Sequence, residues 1–178
     1  MAKRFKLNKG DVFTIPLNEK EVGFGQVVSE YDKKSGGFLI AVFSFRANSI
    51  ENIMVDDICR SEIVFLGFTF DAKLYHGHWV IIGNYIENIP DIEKPYFKLG
   101  TPPDEIYLIN MENERLAKIS EATFEELDYK TEIAPIYYEE ALKSHFGLLE
   151  WNSEEYDGLL YKHTLKSSQI AKRVLSSN

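Results

Sequence analysis

GDVFTIPLNEKEVGFGQVV, residues 10–28, reads as two paired β-strands. Phe13, Ile15 and Leu17 recur at every second position, the period of a strand with one buried face. Pro16 lacks an N–H for a ladder, which places it at a strand end or on an edge. Asn18, Glu19 and Lys20 form the turn, with Asn18 tolerating the positive φ that glycine would otherwise supply. In the return strand, Glu21–Glu30, the side chains of Val22, Phe24, Gln26 and Val28 share a face. Gly23 and Gly25 leave two successive positions of the other face bare. The pair predicts a bend that lets the strand curl over its neighbour, in preference to a loop that cradles a ligand.

Working outward, residues 32–37 (DKKSGG) are an exposed turn by composition, and Phe38–Phe45 is apolar enough to be a strand covered on both faces. Asn48 followed by Glu51 resembles a capping box, and Ile50, Ile53, Met54 and Ile58 have helical spacing, so a short helix is expected there. Ile63–Phe70 and Trp79–Asn84 are further strands. Pro90, Pro95, Pro102 and Pro103 punctuate a loop-rich stretch in which Tyr96–Lys98 is extended. Tyr107–Asn110 and Leu116–Ile119 make a last pair. Six or more strands at this spacing predict a curled antiparallel sheet or a small SH3-like barrel.

After Ser120 the pattern changes. Pro135 opens a helix that Gly147 ends, with Tyr138, Ala141, Leu142 and His145 on one stripe. Asn152 or Ser153 caps a second helical turn, and Ser168 starts a third segment through Ile170 and Val174. The expected class is α+β, with a mainly β domain over residues 1–120 and a helical extension over 121–178 packed on it as one unit.

Composition narrows the function. A chain of 178 residues with 44% apolar and 13% aromatic side chains is long and hydrophobic enough to bury a core. The opening MAKRFKLNKG has no apolar signal region, no run approaches the length of a membrane span, and the lone Cys59 suits a reducing compartment. A cytoplasmic protein is expected. The net charge of −8 is uneven: residues 1–50 hold eight Lys/Arg against five Asp/Glu, with Lys3, Arg4, Lys6 and Lys9 at the terminus, whereas residues 104–140 hold eleven acids against three bases. Glu150, Glu154, Glu155 and Asp157 follow without a base between them. Such a field repels nucleic acid and speeds association with basic proteins; most acidic stretches, however, are simply solvated surface.

Motifs for chemistry are scarce. Gly23-Phe24-Gly25 lacks the third glycine and the following helix of a dinucleotide loop, and there is no Walker sequence. His76 and His78 would share a face on a strand, but spacing offers no third metal ligand, so a turn with exposed rings is the expected state. Cys59 sits beside Asp57 and Glu62, whose charge raises a thiol's pKa, with Arg60 a partial offset. Asp56/Asp57 and Glu125/Glu126 are adjacent carboxylates that on strands would face opposite ways. The expectation is a protein that is not an enzyme and takes no cofactor and no metal.

The segment G-D-V-F-T-I-P-L, then G-F-G-Q-V-V, resembles the opening of the immunity protein 26 family of bacterial polymorphic toxin systems. Trp79-Val80-Ile81-Ile82-Gly83, followed by Pro90, Pro95 and Phe97, extends the resemblance over about residues 8–110. It implies a cytoplasmic immunity protein that binds a cognate toxin domain, often a nuclease, and blocks it without chemistry. The acidic second half then offers Glu112, Glu114, Glu125, Glu126 and Asp128 as contacts for a basic toxin. The other reading is a small β-barrel module that binds a peptide or nucleic acid.

Overall fold

β-branched and aromatic runs broken by turn residues set out the chain in a computed structural model that describes residues 6–32 and 37–177. In chain order the first elements are β1 (Asp11–Pro16), β2 (Val22–Val27), β3 (Gly37–Ala47), α1 (Val55–Cys59), β4 (Ile63–Phe70), α2 (Ala72–Tyr75) and β5 (Ile81–Asn84). β6 (Phe97–Leu99), β7 (Tyr107–Ile109), β8 (Arg115–Lys118), α3 (Glu121–Glu125), α4 (Pro135–His145), α5 (Ser153–Tyr156) and α6 (Tyr161–Ser176) follow. The class is α+β. The chain divides into two compact units, the first made of residues 1–91 and 132–160, the second of 92–131 and 161–178.

In the first unit five antiparallel strands lie in the order β4-β3-β2-β1-β5. The sheet stays open, so the barrel form expected as an alternative does not occur. The three inner strands, β1 to β3, are covered on both faces along most of their length, whereas the edge strand β5 stays partly exposed. Phe13, Ile15, Leu17, Val27, Phe38, Ile40, Val42 and Phe65 pack with Trp79 and with Tyr138, Ala141, Leu142, Tyr156 and Leu159 from the later helical segment. Val12, Phe24, Leu39, Ala41 and Phe43 are equally buried, so β1 is not the half-buried strand that alternation predicts. Also buried is Gln26, which bonds to Tyr85 O and exchanges hydrogen bonds with the Asn88 amide, 3.0 and 2.8 Å, and so ties the segment after β5 onto β2.

The two glycines of β2 owe their place to what lies above them. A Cβ at Gly23 would sit 2.4 Å from Leu142 Cδ2, and one at Gly25 would sit 2.6 Å from the Phe13 ring. The β2/β3 register does shift between Gly23 and Phe24. The register is thus irregular at this point, and close side-chain approach accounts for glycine at both positions. The hairpin turn also differs from expectation. Asn18 does not take a positive φ; its side-chain oxygen accepts from the N–H groups of Lys20 and Glu21 at 2.8 and 2.9 Å, a local Asx arrangement.

Other boundaries move. The capping box at Asn48 and Glu51 does not form: helix α1 starts at Val55, and Ser49 Oγ accepts from Glu51 N instead. β5 begins at Ile81 rather than Trp79, although Val80 O still accepts from Thr14 N. Helix α4 runs from Pro135 to His145, and Gly147 follows with φ +75°, as the sequence indicates. Asn152 caps α5 by accepting from Glu154 N. Of the turn at residues 32–37, positions 33–36 lie outside the described residues, as do Lys3 and Arg4 of the basic lead-in.

The second unit is a three-stranded antiparallel sheet, β6-β7-β8, with α3 and α6. Leu108, Leu127, Ile170 and Ala171 form its core. α6 starts at Tyr161, seven residues before the expected Ser168, because its buried side is built from Thr164, Ser167, Ser168 and Ala171 as well as Ile170. Glu93 fastens it by accepting from Ser168 Oγ at 2.7 Å and Lys172 Nζ at 2.6 Å.

Candidate functional site

The five acids anticipated as toxin contacts all fall in the second unit and are all exposed. Glu112 and Glu114 sit at the β7–β8 turn, where Glu114 accepts from the Asn110 amide at 2.7 Å. Glu125 ends α3, Glu126 is its C-cap and Asp128 follows. Glu126 is neutralised by Arg173 of α6 at 2.7 Å. The second unit as a whole is balanced, nine Asp/Glu against nine Lys/Arg, because α6 adds Lys162, Lys166, Lys172 and Arg173 and no acid. The whole surplus of −8 therefore belongs to the first unit. A window along the sequence places it elsewhere.

Cys59 is buried at the end of α1, and burial first, then Asp56, pushes its thiol up to about 12. The sequence names Asp57 and Glu62 as the cause; desolvation is the larger one. A thiol that stays protonated is a poor nucleophile. In the native protein Cys59 should resist a disulfide-exchange reagent at pH 8, and unfolding should release one reactive thiol per chain; rapid reaction without unfolding would contradict this placement. Asp56 and Asp57 lie on α1 rather than on a strand.

His76 and His78 flank Gly77 (φ +73°) in an exposed turn after α2, their ring centroids 6.4 Å apart. Among the described residues no group of three His, Cys, Asp or Glu could hold a metal ion. Nor is any helix among them long and apolar enough to cross a membrane.

One buried charge is built into the first unit. Glu139, on α4, is 7% exposed and meets Lys143 at 2.9 Å, Lys73 at 3.1 Å and the Trp79 Nε1 donor at 3.3 Å. Burial pushes its carboxyl up, but hydrogen bonds from Lys143, Lys73 and Trp79, with the Lys143 charge, outweigh it and hold it below the ordinary range. These four side chains join α2, α4 and Trp79, two residues before β5. It is a clamp in which a buried carboxylate is matched by two ammonium groups and an indole N–H.

The surface feature that sequence reading missed is an aromatic corner at the end of α4. Trp151 stacks on Phe65, centroids 6.3 Å apart and planes 20° apart, and meets Tyr156 edge-on at 5.5 Å. His145 shares a 2.9 Å hydrogen bond with Ser44 Oγ and faces Phe65, and burial lowers its pKa despite Glu62. Arg46 lies 5.1 Å over the Phe146 ring. The available signal was the run LLEW, residues 148–151, apolar where a loop between helices should be polar.

Against known proteins, the family model described as Immunity protein 26 matches residues 8–102, just over half of the chain. No curated protein and no solved structure gives a significant match. The matched residues span β1 to β6, the whole five-stranded sheet included.

Proposed function

The chain belongs to the immunity protein 26 family, and from that premise we propose that it binds a cognate bacterial toxin domain with fixed stoichiometry and neutralises it in the cytoplasm without chemistry. The family match is the observation that carries this reading. The electrostatics support it: the matched sheet lies in the unit that holds the whole net charge of −8, a field suited to a basic partner such as a nuclease and able to compete with its substrate phosphates.

The test is expression of the toxin domain encoded by the gene immediately upstream, with and without this protein. Rescue of growth, and a complex that survives purification, are the expected results. A purified pair that fails to associate even at low salt would end the proposal.

A second reading, a module that binds nucleic acid, draws on one observation. In the second unit Arg115 and Lys118 lie over Tyr107, at 4.6 and 5.7 Å, and Lys98 over Phe124 and Tyr129, at 4.5 and 5.0 Å. Tight RNA or DNA binding at physiological salt would favour it.

A further inference from the structure

Residues 146–152 link α4 to α5 in the first unit and bring apolar side chains into solvent. Leu148, Leu149 and Trp151 are 39%, 47% and 38% exposed. The link is held firmly at both ends. Leu148 N donates to Lys143 O at 2.8 Å, Ser144 Oγ to Glu150 O at 3.0 Å, and Trp151 Nε1 to Asp157 Oδ1 at 2.8 Å. Beneath the indole, Phe65 and Tyr156 belong to the buried core. A large ring fixed in advance loses little freedom when a partner covers it, and tryptophan is over-represented at the energetic centres of interfaces.

The rim has one sign. Glu150, Glu154 and Glu155 are exposed, Asp157 is partly so, and no Lys or Arg occurs between Lys143 and Lys162. Burial first, then the charges of Glu140 and Glu155, raise the Tyr156 phenol above its ordinary value. An apolar centre in a carboxylate rim complements a basic protein face, and it repels phosphate backbones and anionic lipid.

We propose that Leu148, Leu149 and Trp151, rimmed by Glu150, Glu154, Glu155 and Asp157, are the surface through which the protein docks a basic face of its toxin. This rests on the immunity reading above. The surface lies outside residues 8–102, so the family match does not assign it. It also lies in the unit that carries the net negative charge, unlike Glu112, Glu114, Glu125, Glu126 and Asp128.

The experiment measures binding of the full-length protein to the toxin domain encoded by the gene immediately upstream, in a catalytically inactive form, over a range of salt. Trp151→Ala should weaken binding by roughly 30-fold, chiefly through faster dissociation. Leu149→Lys, which alters only an exposed side chain and sets a like charge against the basic partner, should do likewise, and thermal melts establish that both variants are folded. The pair Glu154→Lys with Glu155→Lys should slow association and flatten its salt dependence.

Unchanged affinity in the Trp151 and Leu149 variants, with wild type bound, would overturn the docking surface and leave the immunity function standing. Loss of binding confined to Glu112→Lys with Glu114→Lys would overturn it too and move the interface to the second unit. Wild type that does not bind would remove the immunity reading and this surface with it.

Discussion

Glu139→Ala should lower the unfolding free energy by about 3 kcal/mol, the low end for breaking a buried charge pair. Three donors converge on that carboxylate. Removing it leaves the Trp79 N–H without a partner at 1% exposure, and places two ammonium groups close together. Lys73 and Lys143 retain about a quarter of their side-chain surface in water, 23% and 24%, which is why the cost is not larger.

The same group sets part of the acid sensitivity. The native pKa of Glu139 lies below its unfolded value, so the ionised carboxylate contributes fully above an unfolded pKa of about 4.3, and the contribution is lost as pH falls through the native value. Wild type should therefore lose more stability than Glu139→Gln between pH 5 and the native pKa. Denaturant titrations across that range test both statements. A cost for Glu139→Ala below about 1 kcal/mol would show the clamp to be idle, since ordinary surface substitutions stay within about 0.5 kcal/mol.

Gly23→Ala should cost about 1–3 kcal/mol by overpacking, although alanine is otherwise the mildest change a glycine can undergo. Its methyl would meet Leu142 Cδ2 at 2.4 Å, with Leu17 Cδ2 at 3.6 Å closing the adjacent space. Leu142 is fully buried in the core and cannot swing aside freely. Leu142→Ala alone should cost about 2–5 kcal/mol through the cavity it leaves. Combined, the new methyl enters the vacated space, and the double variant should be more stable than the sum of the singles by about 1 kcal/mol or more. Strict additivity in equilibrium unfolding would mean that the close approach carries no energetic weight.

These two sites mark what the sequence made legible and what it hid. Strands followed from composition and alternation: Ile63–Phe70 and Phe38–Phe45 are readable because most of their side chains are apolar, with β-branched and aromatic residues prominent among them. Helix α4 was readable from Pro135 and Gly147. The reason for Gly23 was not, because its contact, Leu142, is distant in sequence and glycine itself says only that space or freedom is needed. The start of α6 was hidden for a different cause. Its inner face is Thr164, Ser167, Ser168 and Ala171, small and polar residues that leave no apolar period to detect.

The candidate contacts suffered from a related limit. A window along the chain counts charges that are neighbours in sequence, whereas the acids of residues 104–128 share their unit with the all-basic α6. The Trp151 corner is illegible in the sequence because its significance comes from Phe65 and Tyr156 beneath it, not from its own spacing.

The seam between the five strands and the later helices has a consequence for synthesis. A ribosome releases the residues of β1 to β5 first, before Tyr138, Ala141, Leu142, Tyr156 and Leu159, which cover them in the native core. Those residues emerge only after residues 92–131 of the second unit have been made. For that interval the nascent chain displays Phe13, Ile15, Phe38 and Phe65 without their cover, a surface suited to chaperones, and the native core can close only when translation is nearly finished.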